Sequence, residues 1–210
     1  MTDPARAYDA VIFDFGGVLA TSPFELIRTM GADAGNDGDE VLALMLGPYA
    51  EDTDHPWHRV ERGEIPLSEY GAWLVPEAQA RGITLPTRVF HEMKPHDAMV
   101  ERAAQLRADG YKTAVLTNNA KEVGDNWRAI VPVDDLFDLV IDSSWVGMRK
   151  PNPAIYTHTA AELGVEPERC VMLDDAPGNV LGAEAAGMRA ILVGLDIEPA
   201  LAELDTVLGL

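Results

Sequence analysis

The chain has 210 residues, 47% of them hydrophobic, and 16 basic against 35 acidic residues give it a formal charge of −19. That length holds one large domain, or one domain with a modest insertion, and enough apolar surface for a core that folds alone. The charge repels nucleic acid and anionic membrane surfaces, so neither is expected as a partner, and an anionic substrate needs local positive charge or a metal cation to draw it in.

No stretch reaches the roughly 20 apolar residues that cross a bilayer, and the opening MTDPARAYDA has no basic region followed by an apolar run, so a cytoplasmic location is expected. In chain order, the first strand-like run is YDAVIFDF (8–15), which ends on Asp14 and is followed by Gly16 and Gly17. From 20 to 95 strand signals are few and helix-like pieces several, among them SPFELIRTMGADA, GDEVLALMLG and PLSEYGAWLVPEAQARG. This segment reads as a small helical domain inserted after the first strand, with linkers near GGVLATSP and MKPHD, so that 1–19 and 96–210 form the core domain.

Beyond the insertion, helices at about 97–109, 121–131, 152–164, 177–187 and 196–208 alternate with the runs KTAVLTNN (112–119), LFDLVIDS (136–143), RCVMLDD (169–175) and MRAILVG (188–194). Nearly continuous β-favouring apolar residues suit strands buried on both faces of a parallel sheet. Gly110, Gly164 and Gly187 stand where helices should stop. The expected fold class is α/β, a Rossmann-like doubly wound parallel sheet carrying an inserted helical cap. The single cysteine, Cys170, falls in a strand-like run, where a packing role is expected and no intramolecular disulfide is possible.

In open α/β sheets ligands bind outside the carboxyl ends of the strands. Four of the five runs carry polar groups there: Asp14; Thr117 and Asn118; Asp142, Ser143 and Ser144; Asp174 and Asp175. A lone acid in such a position usually caps a turn, but their convergence marks a candidate site. Carboxylates brought together repel unless a cation joins them, and Mg²⁺ takes oxygen ligands and leaves room for substrate phosphate. No Cys/His spacing suggests zinc, and His55, His58, His91, His96 and His158 read as surface or insertion-packing residues. Lys150, ahead of Pro-Asn-Pro, can neutralise a phosphoryl group, and the Thr117 hydroxyl can bond its oxygens. A carboxylate nucleophile, a metal, a cation and a hydroxyl together suit phosphoryl transfer.

VIFDFGGVL, AVLTNN, GMRKPNPAIY and VMLDDAPGNVLGAEAAGM resemble, in order, the four motifs of the haloacid dehalogenase superfamily, over the whole sheet domain. HRVERGEIPLSEY is similar to a segment of the branch that holds the N-terminal phosphatase domain of soluble epoxide hydrolases and bacterial sugar-phosphate phosphatases. The resemblance implies a Mg²⁺-dependent phosphatase acting on a small phosphorylated molecule, a sugar phosphate among the options, through an aspartyl phosphate on Asp14. It implies that Thr117 and Asn118 bind the transferring group and that Lys150 balances charge. Asp175 then aligns with the principal metal ligand, Asp174 with a neighbouring acid that acts through water, Asn179 with the residue that orients them, and the Gly16 carbonyl with a further ligand.

The sequence departs from the family at Gly16, where phosphatases usually carry the aspartate that protonates the leaving oxygen. Its loss costs about 10²–10⁴-fold unless something replaces it. Three outcomes stay open: an active phosphatase that favours good leaving groups or borrows an acid, a carbon–halogen hydrolase with Arg28 or Arg59 on the substrate, and a non-catalytic binding protein. A second departure is Trp145, where relatives tend to have an acid; it either lines the entrance and stacks on substrate or packs the core against the insertion. Trp57 and Trp73 face either the site or the interior of the insertion.

Overall fold

In the computed structural model, described over residues 6–86 and 89–210, the described strands form one parallel sheet in the order β3-β2-β1-β4-β5. They are β1 (Ala10–Phe13), β2 (Lys112–Thr117), β3 (Leu139–Asp142), β4 (Cys170–Asp174) and β5 (Arg189–Leu192), each within an expected run. Alternation within the runs sends neighbours to opposite faces. Val11 and Phe13 pack with Met99, Leu106 and Leu204 on one side, and Ala10 and Ile12 with Ile155, Tyr156 and Ala183 on the other. Each large side chain so buried stabilises the fold by about 1.5–3 kcal/mol. Cys170 is buried and unpaired in β4.

The insertion after β1 carries α1 (Pro23–Asp33), α2 (Gly38–Leu46), α3 (Pro56–Glu61) and α4 (Leu67–Arg81). They surround their own apolar cluster, which includes Ile27, Leu44, Val60, Tyr70 and Leu74. Asp37 caps α2 by accepting the Asp39 N–H at 2.9 Å, and His55 caps α3 through Nδ1. The two linkers run side by side: the Thr21 N–H donates to the Lys94 carbonyl, and that of His96 to the Leu19 carbonyl, each at 2.9 Å. No helix among the described residues is long and apolar enough to cross a membrane.

The sheet is covered by α5 (Asp97–Ala108), α8 (Pro153–Leu163), α9 (Pro177–Ala185) and α10 (Glu198–Leu208), with short turns α6 (Val133–Leu136) and α7 (Ser143–Val146) flanking β3. Gly110, Gly164 and Gly187 all have positive φ just past a helix. The expected helix at 121–131 does not form. Two 3₁₀ turns, Lys121–Val123 and Asn126–Ala129, stand there instead. Gly124 between them adopts φ +58°, a conformation that interrupts a right-handed helix.

Candidate active site

The chain passes from β1 to β2 and β3 on one side, then returns to place β4 on the other side of β1. This reversal opens the crevice beside β1 in which such sheets bind ligands. Register aligns Phe13 with Leu173, so the next residues, Asp14 and Asp174, emerge side by side. Carboxylate oxygens of Asp14, Asp174 and Asp175 all lie within 4.8 Å of one another.

Lys150 is fully buried among them, its Nζ 2.8 Å from Asp14 Oδ1 and 2.6 Å from Asp174 Oδ2. Three carboxylates against one ammonium leave two negative charges, the deficit that a divalent cation fills. Burial pushes the Asp14 carboxyl up to about 7, Lys150 opposing the rise and Asp174 adding to it. Asp175 is likewise held well above the usual range by burial and by Asp14 and Asp174. Burial works against the charge of Lys150, but the two carboxylates outweigh it and raise its pKa.

The two acids of β4 differ in what is left free. Asp174 Oδ1 accepts from the Ala176 N–H and from Asn179 Nδ2, both at 2.9 Å, while Oδ2 takes Lys150. Asp175 Oδ2 accepts from the Ser22 hydroxyl at 2.6 Å. Asp175 is thus the acid with more capacity for direct ligation, and Asp174 fixes Lys150. Asp14 Oδ1 accepts the Phe15 N–H at 2.6 Å as well as Lys150, which orients Oδ2 as the oxygen those donors do not engage.

A cavity of about 60 Å³ touches Asp14, Gly16, Thr117, Asn118 and Asp175. Asn118 is locked to the Lys150 backbone: Nδ2 donates to its carbonyl at 3.0 Å and Oδ1 accepts its N–H at 2.9 Å. A Cβ on Gly16 would stand 2.7 Å from Pro23 Cδ, so the first turn of α1 fills the direction a side chain there would take. At Gly17 φ is +79° and a Cβ would fall 1.9 Å from Asp175 Oδ2. Gly17→Ala is therefore expected to displace Asp175, weakening Mg²⁺ binding and destabilising the chain by about 1–3 kcal/mol. Calorimetric titration with Mg²⁺ checks this, and unchanged affinity would refute it.

A second layer was not legible as a motif. Arg149 is fully buried and joins the sheet unit to α3, its Nε 2.7 Å from Glu61 Oε2 and its Nη1 3.0 Å from the Glu51 carbonyl. Glu61 Oε1 also accepts from Tyr49 Oη and Trp57 Nε1, both at 2.8 Å. Tyr49 Oη in turn accepts from Asn118 Nδ2 at 3.3 Å, which ties the network to the site. Burial pushes the Glu61 carboxyl up, and Arg149 with the other donors offsets only part of that. The one sequence signal was a second cation beside Lys150.

Several expectations are corrected. Asp142 does not join the acidic cluster; its Oδ1 holds Ser144 and its Oδ2 accepts from Asn119 Nδ2 at 2.9 Å, because β3 lies at the sheet edge. Trp145 is 72% exposed on α7, does not line the cavity and does not pack the core; its ring lies 5.5 Å from Lys121 Nζ. Arg28 pairs with Glu25 and Asp39, and Arg59 with Glu64, so neither is a free anion-binding cation. Trp73 packs within the insertion beside His55, whereas Trp57 lines a larger cavity next to the site. His58 is buried against Thr53, with its pKa driven down to about 3 by burial and the Arg149 charge. His96 bonds the Val18 carbonyl, His158 is half-buried on α8, and the side chain of His91 lies outside the described residues.

The family model for haloacid dehalogenase-like hydrolases matches residues 8–187. The chain belongs to that family. Among its relatives is phosphatase MT3486 of Mycobacterium tuberculosis, 40% identical over 88% of this chain and 86% of that protein. Bifunctional epoxide hydrolase 2 of Sus scrofa is 32% identical over 97% of this chain. The chain spans between 19% and 39% of the length of the mammalian relatives it matches. A solved family enzyme of Bacteroides thetaiotaomicron, in complex with magnesium and inorganic phosphate, shares the fold with a TM-score of 0.61. It is 17% identical, and the match covers 90% of this chain and 96% of that one. This haloacid dehalogenase-like hydrolase thus has phosphatases among its relatives and an acidic, lysine-buttressed site at the strand tips.

Proposed function

We propose that this hydrolase is a Mg²⁺-dependent phosphatase that cleaves a small phosphomonoester through a phosphorylated Asp14, with α1–α4 acting as the cap over the site. The observation that carries this reading is the buried Asp14–Lys150–Asp174 chain, with Asp175 alongside, at the tip of the central strand. Asp14 Oδ2 attacks phosphorus, the bond from phosphorus to the leaving oxygen breaks, and water then cleaves the aspartyl phosphate and regenerates the carboxylate. The Thr117 hydroxyl and the backbone at Asn118, whose amide is committed to Lys150 and Tyr49, hold the transferring group, and Lys150 keeps Asp14 oriented and offsets charge. Asp14, Asp175 and the Gly16 carbonyl, with Asp174 behind them, would hold Mg²⁺, which would supply positive charge against the phosphoryl oxygens. The phosphatase relative spanning most of the chain supports this reading. Phosphate release from 4-nitrophenyl phosphate should require Mg²⁺ and stop in EDTA; a folded protein inert across a panel of phosphomonoesters sinks the proposal.

Asp14 also gives stability a pH dependence. Without metal its folded pKa of about 7 exceeds the ordinary 3.8, so between these values the folded chain holds a proton that the unfolded chain has lost. Stability from this group therefore falls as pH rises through that window. In EDTA, the melting temperature of Asp14→Asn should exceed that of the parent by a margin that widens from pH 4 to 7, and Mg²⁺ should close it; thermal melts read this directly.

A further inference from the structure

A cavity of about 260 Å³ adjoins the small one over Asp14, the two sharing Pro23, Phe24, Tyr49, Asn118 and Asn119 as walls. Its remaining walls include Ile27, Leu46, Trp57, Leu67 and Tyr70, and one carboxylate, Glu61, whose oxygens already accept from Tyr49, Trp57 and Arg149. A molecule whose phosphate sits at Asp14 extends its other end into this space.

The polar atoms around that space already have partners. Trp57 Nε1 and Tyr49 Oη both donate to Glu61, and Tyr70 Oη donates to the Met45 carbonyl at 2.8 Å. Asn119 Nδ2 is bonded to Asp142 and its Oδ1 to the Ala120 N–H, while Asn118 is bonded to Lys150. A polyol here would give up water at several hydroxyls without recovering those bonds, at about 1–3 kcal/mol for each group left unpaired. An apolar ring meets aromatic and aliphatic walls and gains from burial.

The leaving oxygen faces a similar constraint. Pro23 occupies the direction in which a side chain at position 16 would point, and the Tyr49 proton is committed to Glu61. Burial and the Glu61 charge hold the Tyr49 phenol well above its ordinary pKa, which makes it a poor acid. The leaving group departs as an anion, and its own acidity then governs the rate.

We infer that the substrate is an aryl phosphomonoester: an apolar, ring-sized phenol occupies the cavity and leaves as phenoxide. The inference rests on the phosphatase reading and narrows it away from sugar phosphates. It is tested by measuring kcat/KM with Mg²⁺ for substituted phenyl phosphates, 1-naphthyl phosphate, cyclohexyl phosphate and a hexitol phosphate. Phenyl phosphate should exceed cyclohexyl and hexitol phosphates by about 10²-fold, the scale of missing acid catalysis, and kcat/KM should rise as the phenol becomes more acidic. Ile27→Phe, which narrows the cavity, should raise KM for 1-naphthyl phosphate about tenfold more than for phenyl phosphate, as pocket size discriminates between substrates. Cyclohexyl phosphate turned over as fast as phenyl phosphate overturns the inference, as do hexitol turnover at that rate and equal KM changes in the variant. In each of those cases the phosphatase reading survives; no turnover of any ester overturns both.

Discussion

Replacing Asp14 with asparagine is expected to lower kcat/KM for phosphomonoester hydrolysis by about 10⁴-fold or more while leaving the fold intact. Asparagine keeps the shape and one carbonyl oxygen, which can still accept from the Phe15 N–H and from Lys150, the two donors that now hold Oδ1. It lacks the charge to attack phosphorus and forms no acyl phosphate. A 10⁴-fold loss is about 5.5 kcal/mol of barrier, well beyond what misplacing one hydrogen bond explains. The substitution also removes one of three crowded carboxylates, so loss of activity is expected without loss of stability. Phosphate release and thermal melts on the same preparation separate the two effects. Activity within tenfold of the parent would assign the nucleophile elsewhere.

The sheet was legible because the strands are short apolar runs, those of β1, β2 and β4 buried almost throughout, a pattern that hydrophobicity alone reports. The sequence could place Asp14, Thr117, Asn118, Asp174 and Asp175 near one another because each sits at or just beyond a strand end, whereas Lys150 follows α7 and Asn179 lies within α9, positions that came from the motif resemblance. Asp142 occupies an equivalent position and yet only braces a turn, since one sequence does not reveal which strand lies at the edge. Trp145 misled for a related reason: residue type reports what a ring can do but not which way α7 turns it. The Arg149–Glu61 pair joins residues 88 positions apart across the linkers, a separation that no periodicity bridges.

That pair carries the second large expected effect. Arg149→Met should destabilise the chain by about 3–5 kcal/mol, because it strands a buried Glu61 carboxylate whose remaining donors are Tyr49 and Trp57. The guanidinium is difficult to replace, since it also bonds the Glu51 carbonyl and its Cζ lies 4.8 Å from the centre of the Tyr49 ring. Removing both charges with Arg149→Met and Glu61→Leu should cost less than the sum of the single changes, because no lone charge is then left in the interior. Urea unfolding of the parent, both single variants and the double variant closes the cycle; additive losses would mean that the two groups do not act as a pair. Activity should respond as well. Tyr49 accepts from Asn118, and Asn118 is bonded to the backbone of Lys150, so loosening Glu61 transmits a shift to the wall of the cavity over Asp14 that the proposed function assigns to phosphate. A displacement on the order of 1 Å can cost about 10²-fold in rate, so a fall in kcat that exceeds any change in KM is expected for the single variant under conditions where it remains folded. On the proposed phosphatase reading, the buried charge pair that fixes α3 against the sheet also holds Asn118 in place beside Asp14.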